Sequence, residues 1–238
     1  MSGIYIPYSV HSGDFNMEYD EELLNTAIEK ALHEPILRFY GWSPACVSLG
    51  RNQSDEHINK SFCRYHKIDI VKRLTGGRAL LHDNELTYSF VCPADFLKHG
   101  ESVINSYKEI SGAIALGLRK AGIQAEFPQN KKASTNFEYC MSLSTGADLS
   151  YNGRKIVGSA QFRKQGYILQ HGSLMFDYDS ELIKNIFGEN PQEDKITTIN
   201  QISSLKLDEL CSFLKAGFEE YFCIEFKPYG ISKAFEKS

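Results

Sequence analysis

The stretch Arg73-Leu74-Thr75-Gly76-Gly77-Arg78-Ala79-Leu80-Leu81-His82-Asp83 constrains this chain more than any other. A β-prone run, Ile68 to Arg73, leads into two adjacent glycines set between arginines, and a second run, Glu85 to Val91, leads away. A residue without Cβ tolerates positive φ and leaves room for another group, so glycines paired between strands predict a turn where backbone closely approaches a ligand. The segment therefore predicts a piece of sheet and a binding site carried on it.

The rest of the composition limits what could be bound. With 238 residues, 42% of them hydrophobic and 24% charged, the chain can bury a real core, and no repeat, low-complexity tract or linker divides it. One domain over residues 1–238 is the expectation. A net charge of −4 gives no general attraction for nucleic acid, whose binders carry a basic face or tail. The first residues show no basic region followed by an apolar one, and no run approaches the roughly 18 apolar residues of a spanning helix. A cytoplasmic protein without membrane association is expected. Six cysteines, at 46, 63, 92, 140, 211 and 223, show neither C-x-x-C nor a paired histidine spacing. They predict reduced, mostly buried thiols, with no zinc site and no disulfide framework.

Glu21 to His33 carries Leu23, Leu24, Ala27, Ile28, Ala31 and Leu32 at helical spacing behind Asp20 as N-cap, with Pro35 limiting its end. Arg38 to Leu49 reads as two short strands around Trp42-Ser43-Pro44. Val103 to Ala121 is the best helix, with Gly122 where a left-handed C-terminal residue belongs. Asp148 to Tyr151 and Lys155 to Gln161 flank Asn152-Gly153, the dipeptide that favours a two-residue type I′ hairpin. A second hairpin turns near Lys164-Gln165-Gly166 and runs back through Tyr167 to Phe176, and Leu205 to Tyr221 is again helical. Strands and helices mix without regular βαβ alternation, which predicts an α+β fold with a mixed, largely antiparallel sheet.

Three separated motifs carry a family resemblance. Arg73-Leu74-Thr75-Gly76-Gly77-Arg78-Ala79 with His82-Asp83 and Glu85-Leu86-Thr87-Tyr88-Ser89 is the first, and Phe39-Tyr40-Gly41-Trp42-Ser43-Pro44 with Ser48-Leu49-Gly50 extends it upstream. Gly153-Arg154-Lys155-Ile156-Val157-Gly158-Ser159-Ala160-Gln161 and Gln170-His171-Gly172-Ser173 follow. Over roughly residues 15 to 200 the chain resembles the lipoate-protein ligase and octanoyltransferase superfamily. The resemblance implies a catalytic domain related to biotin-protein ligases and class II synthetases, and chemistry that ends with a medium-chain acyl group on a lysine of a lipoyl domain.

Cys140 chooses within the superfamily. It stands ahead of the Gly-Arg-Lys motif, where the chain is similar to LipM-type octanoyltransferases in carrying a nucleophilic cysteine. A third glycine usual in the ligases is replaced by Arg78, and little chain follows residue 200 for the extra domain many ligases need. The resemblance thus implies octanoyl-acyl carrier protein as donor and, as acceptor, a glycine-cleavage H protein or the lipoyl-bearing subunit of a 2-oxoacid dehydrogenase. An ATP-dependent lipoate-protein ligase and an amidotransferase acting between carrier proteins are the alternatives.

The residue chemistry fits acyl transfer. Passing an acyl group from a thioester to an enzyme cysteine exchanges one thioester for another, so neither ATP nor another cofactor is called for. The thiol must ionise, and a neighbouring ammonium stabilises the thiolate, which casts Lys155 beside Cys140 as the catalytic pair. His82 is an alternate base and His171 a weaker one. Backbone N–H groups around Gly76, Gly77, Gly158 and Ser159 are candidate oxyanion donors, and Arg73, Arg78, Ala160 and Gly172 complete the expected substrate-binding set. Leu74, Leu80, Ile156 and Val157 are candidates for an acyl slot, where each buried methylene contributes about 0.8 kcal/mol. The plainer readings are a solvated edge charge for Lys155, a salt-bridge partner for Arg78 and a structural histidine at 171. Basic pairs at Lys131-Lys132, Arg154-Lys155 and Arg163-Lys164 suggest a rim that steers an acidic carrier.

Overall fold

The computed structural model describes residues 1–127 and 148–229. Its elements run β1 (Ser2–His11), α1 (Gly13–Glu29), β2 (Ile36–Trp42), β3 (Cys46–Leu49), α2 (Lys60–Tyr65), β4 (Asp69–Lys72), β5 (Leu80–His82) and β6 (Glu85–Pro93). Then come α3 (Val103–Lys120), β7 (Leu149–Tyr151), β8 (Arg154–Lys164), β9 (Tyr167–Met175), α4 (Ser180–Phe187), α5 (Ile199–Ile202), α6 (Leu207–Phe222) and β10 (Glu225–Pro228).

Two local turns fix the part of the fold that matters most. Asn152 and Gly153 take φ of 49° and 77°, and Gln165 and Gly166 take 48° and 81°, so both links are two-residue turns of positive φ that match the twist of flanking strands. The second turn pins the β8–β9 register, setting Gly158 opposite Ser173, Ser159 opposite Gly172 and Ala160 opposite His171. Two motifs separated in sequence thereby become one patch of sheet.

The large sheet has seven strands in the order β10-β1-β2-β6-β9-β8-β7. β1 pairs parallel with both β10 and β2, and the remaining pairings are antiparallel. This is the mixed, largely antiparallel arrangement expected. The strands around Trp42-Ser43-Pro44 form where foreseen, but they do not pair with each other. β2 stays in the large sheet, whereas β3 crosses into a separate three-stranded sheet of order β4-β3-β5.

Apolar clusters cement these layers. Phe39, Tyr88 and Phe90 on one face of the large sheet pack against Ile110 and Ile114 of α3 and Leu214 and Phe218 of α6. On the opposite face, Leu23, Leu24 and Ala27 of α1 cover Ile36, Val91 and Leu169. A third cluster joins Val47, Leu49 and Leu81 of the small sheet to Ile183 and Ile186 of α4.

One helix begins elsewhere than expected. α1 starts at Gly13, where the Ser12 hydroxyl accepts from the Phe15 N–H, and Asp20 lies inside it rather than capping it. The apolar periodicity begins only at Leu23 because the buried face of the first turns carries Asn16 and Asp20 instead. Among the described residues, no helix is long and apolar enough to cross a membrane.

Candidate active site

Where the two sheets meet, a pocket of about 460 Å³ opens. Met17 of α1 and Tyr40 and Trp42 of β2 form one side, Ser48, Leu80 and His82 of the small sheet another, and Gly158–Ala160 with His171–Ser173 the floor. Arg73 and Gly77 close it from the glycine turn. Gly77 has a φ of 93°, so the turn takes a shape that residues with side chains rarely adopt. At Gly172, a Cβ would lie 2.6 Å from the Gly158 carbonyl oxygen and 2.7 Å from the Tyr88 ring, so the floor requires glycine there.

Two matching hydrogen-bonded arrays line this pocket. In one, Ser48 Oγ lies 2.7 Å from His82 Nε2 and His82 Nδ1 lies 2.8 Å from Glu85 Oε1. In the other, Thr75 Oγ1 lies 2.7 Å from His171 Nε2 and His171 Nδ1 lies 3.1 Å from Asp20 Oδ2. Arg73 joins them: Nη1 donates to Ser48 Oγ at 3.0 Å and Nε donates to Thr75 Oγ1 at 3.2 Å. A carboxylate can only accept, so each Nδ1 carries hydrogen, and in its neutral form each ring offers the Nε2 lone pair to a hydroxyl that itself accepts from Arg73. One guanidinium thus sets both tautomers. Its Nη2 also donates to the carbonyls of Gly76 and Arg78 at 2.9 and 2.7 Å, which holds the glycine turn closed.

The carboxylates are positioned differently. Burial alone would raise the Asp20 carboxyl, but the hydrogen bond from His171 and the Arg38 guanidinium 2.8 Å away outweigh it and hold it below its ordinary value. Glu85 Oε1 accepts from His82, from Trp42 Nε1 at 3.1 Å and from the Thr87 hydroxyl. Trp42 also stacks on His82, with ring centroids 4.0 Å apart and planes 18° from parallel.

Lys155 is no solvated edge charge. Its side chain is 3% exposed and its ammonium lies 3.1 Å from Asp148 Oδ2, while Asp148 Oδ1 faces the Ser159 N–H at 3.5 Å and the Tyr107 hydroxyl at 3.3 Å. Lys155 stands one carboxylate away from the pocket floor. Cys140 and the Lys131-Lys132 pair lie outside the described residues. Of the other basic pairs, Lys155 is buried, Arg163 Nη2 donates to Ser106 Oγ at 2.7 Å, and Lys164, whose Nζ donates to Asn25 Oδ1 at 2.8 Å, is exposed.

Of the apolar residues expected around an acyl chain, Leu80 lines the pocket, whereas Ile156 and Val157 point into the main core and Leu74 borders a neighbouring groove between α1 and β4. Gly76 and Arg78 enter through their carbonyls rather than as pocket walls. Sequence reading missed Ser48, Thr75, Glu85 and Asp20 as members of the arrays. The first three lay within the motif blocks, but an acid inside a helix gave no signal.

Residues 12–219 match the family model of the lipoyl protein ligase A/B catalytic domain. The chain belongs to this family. Octanoyltransferase LipM of Halalkalibacterium halodurans is 36% identical to it, over 95% of this chain and 91% of that protein. Octanoyltransferase LipM of Bacillus subtilis is 35% identical over 92% and 86%. Among solved structures, lipoate-protein ligase A bound with ATP superposes with a TM-score of 0.80 at 22% identity, over 98% of this chain and 90% of that one. Biotin protein ligase of Leishmania major gives 0.51 at 14% identity, over 93% and 75%. At these identities the structures speak to fold alone, and the lipoyl ligase family chain has the biotin-protein-ligase architecture its motifs implied.

Proposed function

We propose that this member of the lipoyl ligase family is an octanoyltransferase of lipoate biosynthesis, carrying octanoyl from octanoyl-acyl carrier protein to a lipoyl-domain lysine through a thioester on Cys140. The observation that carries the reading is the 36% identity to an octanoyltransferase over 95% of the chain. In the first step the Cys140 thiolate bonds to the donor's carbonyl carbon, the donor C–S bond breaks, and the carrier's sulfur takes up the proton that Cys140 gave up. In the second, the acceptor amine bonds to the same carbon, the C–S bond breaks, and Cys140 leaves as a thiol carrying the amine's proton. The acceptor is the H protein of glycine cleavage or the lipoyl-bearing subunit of a 2-oxoacid dehydrogenase.

Lys155 supplies positive charge for thiolate and oxyanion. A buried ammonium held at one carboxylate from Ser159 supports that role, because a charge shielded from water acts more strongly on its neighbours. Gly77 and Gly158 line the pocket, and their backbone is the proposed source of donors for the tetrahedral oxyanion. The test is intact-protein mass spectrometry after incubation with octanoyl-acyl carrier protein and no ATP. An octanoyl adduct that vanishes in Cys140→Ala is the expected result. Activity on free octanoate that requires ATP and survives Cys140→Ala would establish a ligase instead.

A further inference from the structure

We infer that His82, positioned by Ser48 and Glu85, is the base that takes the proton of the incoming lysine ammonium, and that the matching array at His171 is not. The inference rests on the acyl-transfer reading and assigns the proton path of its second step. An amine attacks a carbonyl only as the neutral form, and a lysine arrives at neutral pH as an ammonium. Two histidines face the pocket, each bound through a hydroxyl to Arg73 and through Nδ1 to a carboxylate. Arg73 opposes a proton on either ring through one intervening hydroxyl, so it does not distinguish them.

The carboxylates do. Asp20 is already neutralised by Arg38 at 2.8 Å and accepts from the Tyr40 hydroxyl at 2.9 Å, so a proton on His171 would set two cations around one anion. Glu85 is ion-paired with His82 alone among the described residues, and its Oε2 is buried without a hydrogen-bond partner. A buried carboxylate lacking a permanent cation stabilises a new positive charge beside it. The stacked Trp42 ring adds a π face to the same imidazole.

Ser48 Oγ receives a proton from the ammonium as its own hydrogen passes to His82 Nε2, leaving a neutral amine and an imidazolium paired with Glu85. The nitrogen bonds to the thioester carbonyl carbon, the C–S bond breaks, and the second N–H proton leaves on the departing sulfur. His82 then returns its proton to solvent.

The deciding experiment supplies octanoyl-acyl carrier protein without ATP and measures transfer in parallel to a lipoyl-domain lysine and to hydroxylamine, an amine already unprotonated at neutral pH. After subtraction of the uncatalysed rate, His82→Gln and Glu85→Gln should each lower lysine transfer roughly 100-fold, the lower end of what a positioned base supplies, while hydroxylamine transfer stays close to wild type. His171→Gln should lower both rates together. Equal losses of the two rates in His82→Gln and Glu85→Gln would show that these residues only shape the pocket. A lysine-selective loss in His171→Gln would move the base to the other array, and either result overturns the inference. A wild-type protein that makes no ATP-independent product sinks the acyl-transfer reading itself, and the relay with it.

Discussion

Lys155 Nζ lies 3.1 Å from Asp148 Oδ2, and both side chains are sealed from solvent. Removing one member of such a pair strands the other charge in a poorly polarisable interior. Lys155→Met should therefore cost about 3–5 kcal/mol of stability, read from urea unfolding. Adding Asp148→Asn should recover part of that loss without restoring acyl transfer, since the neutral pair no longer provides an ammonium. Full recovery of transfer in the double variant would remove Lys155 from the chemistry.

Asp20 links stability to acid. Its carboxyl is held below its ordinary value in the folded protein, so the unfolded chain binds more protons as pH falls. The contribution is complete above the unfolded value of about 4 and disappears as pH drops through the lower folded one. Asp20→Asn leaves Arg38 buried beside a neutral amide and should lose about 3–5 kcal/mol at pH 7. That deficit should shrink as pH falls below about 4 in thermal or urea unfolding, because acid progressively removes the same charge from the wild type. A deficit constant over this range would contradict the assignment.

Arg73 gathers Ser48, Thr75 and the carbonyls of Gly76 and Arg78 with one planar fork. A lysine ammonium cannot reproduce that geometry. Amide hydrogen exchange in Arg73→Lys should quicken through Gly76–Ala79 while β8 and β9 stay protected, with a global stability loss of about 1.5–3 kcal/mol for the lost charged hydrogen bonds. Unchanged exchange in the glycine turn would mean that the turn holds its own shape.

Thiol reactivity should sort the cysteines by burial. Cys46, Cys63, Cys92 and Cys211 are buried and Cys223, at the end of α6, is exposed. Burial raises the thiols of Cys46, Cys63 and Cys92, and burial with the nearby Asp208 carboxylate pushes Cys211 up to about 12. In a Cys140→Ala background, Ellman's reagent should find one fast thiol per chain and four that react only on unfolding. A fast phase surviving Cys223→Ser in that background would contradict the buried assignments.

Features set by neighbouring residues were legible in the sequence. Asn152-Gly153 and Gln165-Gly166 specify their hairpins through backbone preference alone, and from them the register follows that faces Gly158–Ala160 with His171–Ser173. The helix at Val103 declared itself by periodicity and by Gly122, whose φ is 82°. β1 and β10 were missed because they pair in parallel from opposite ends of the chain, with no turn between them to signal it. The small sheet was missed because β3 continues a run that looks like a hairpin with β2. Ile156 and Val157 misled for a related reason: a strand buried on both faces no longer alternates, so an apolar residue in a binding motif can point away from the pocket. Asp20 shows the limit of local reading, since its partners come from β2 and β9.

Because a single guanidinium joins the Ser48 and Thr75 branches, a lesion at Arg73 reaches both histidines at once, whereas a lesion at one ring leaves the other arm of the fork in place. The two imidazoles therefore share one point of failure that lies on neither of them, at the entrance to the glycine turn.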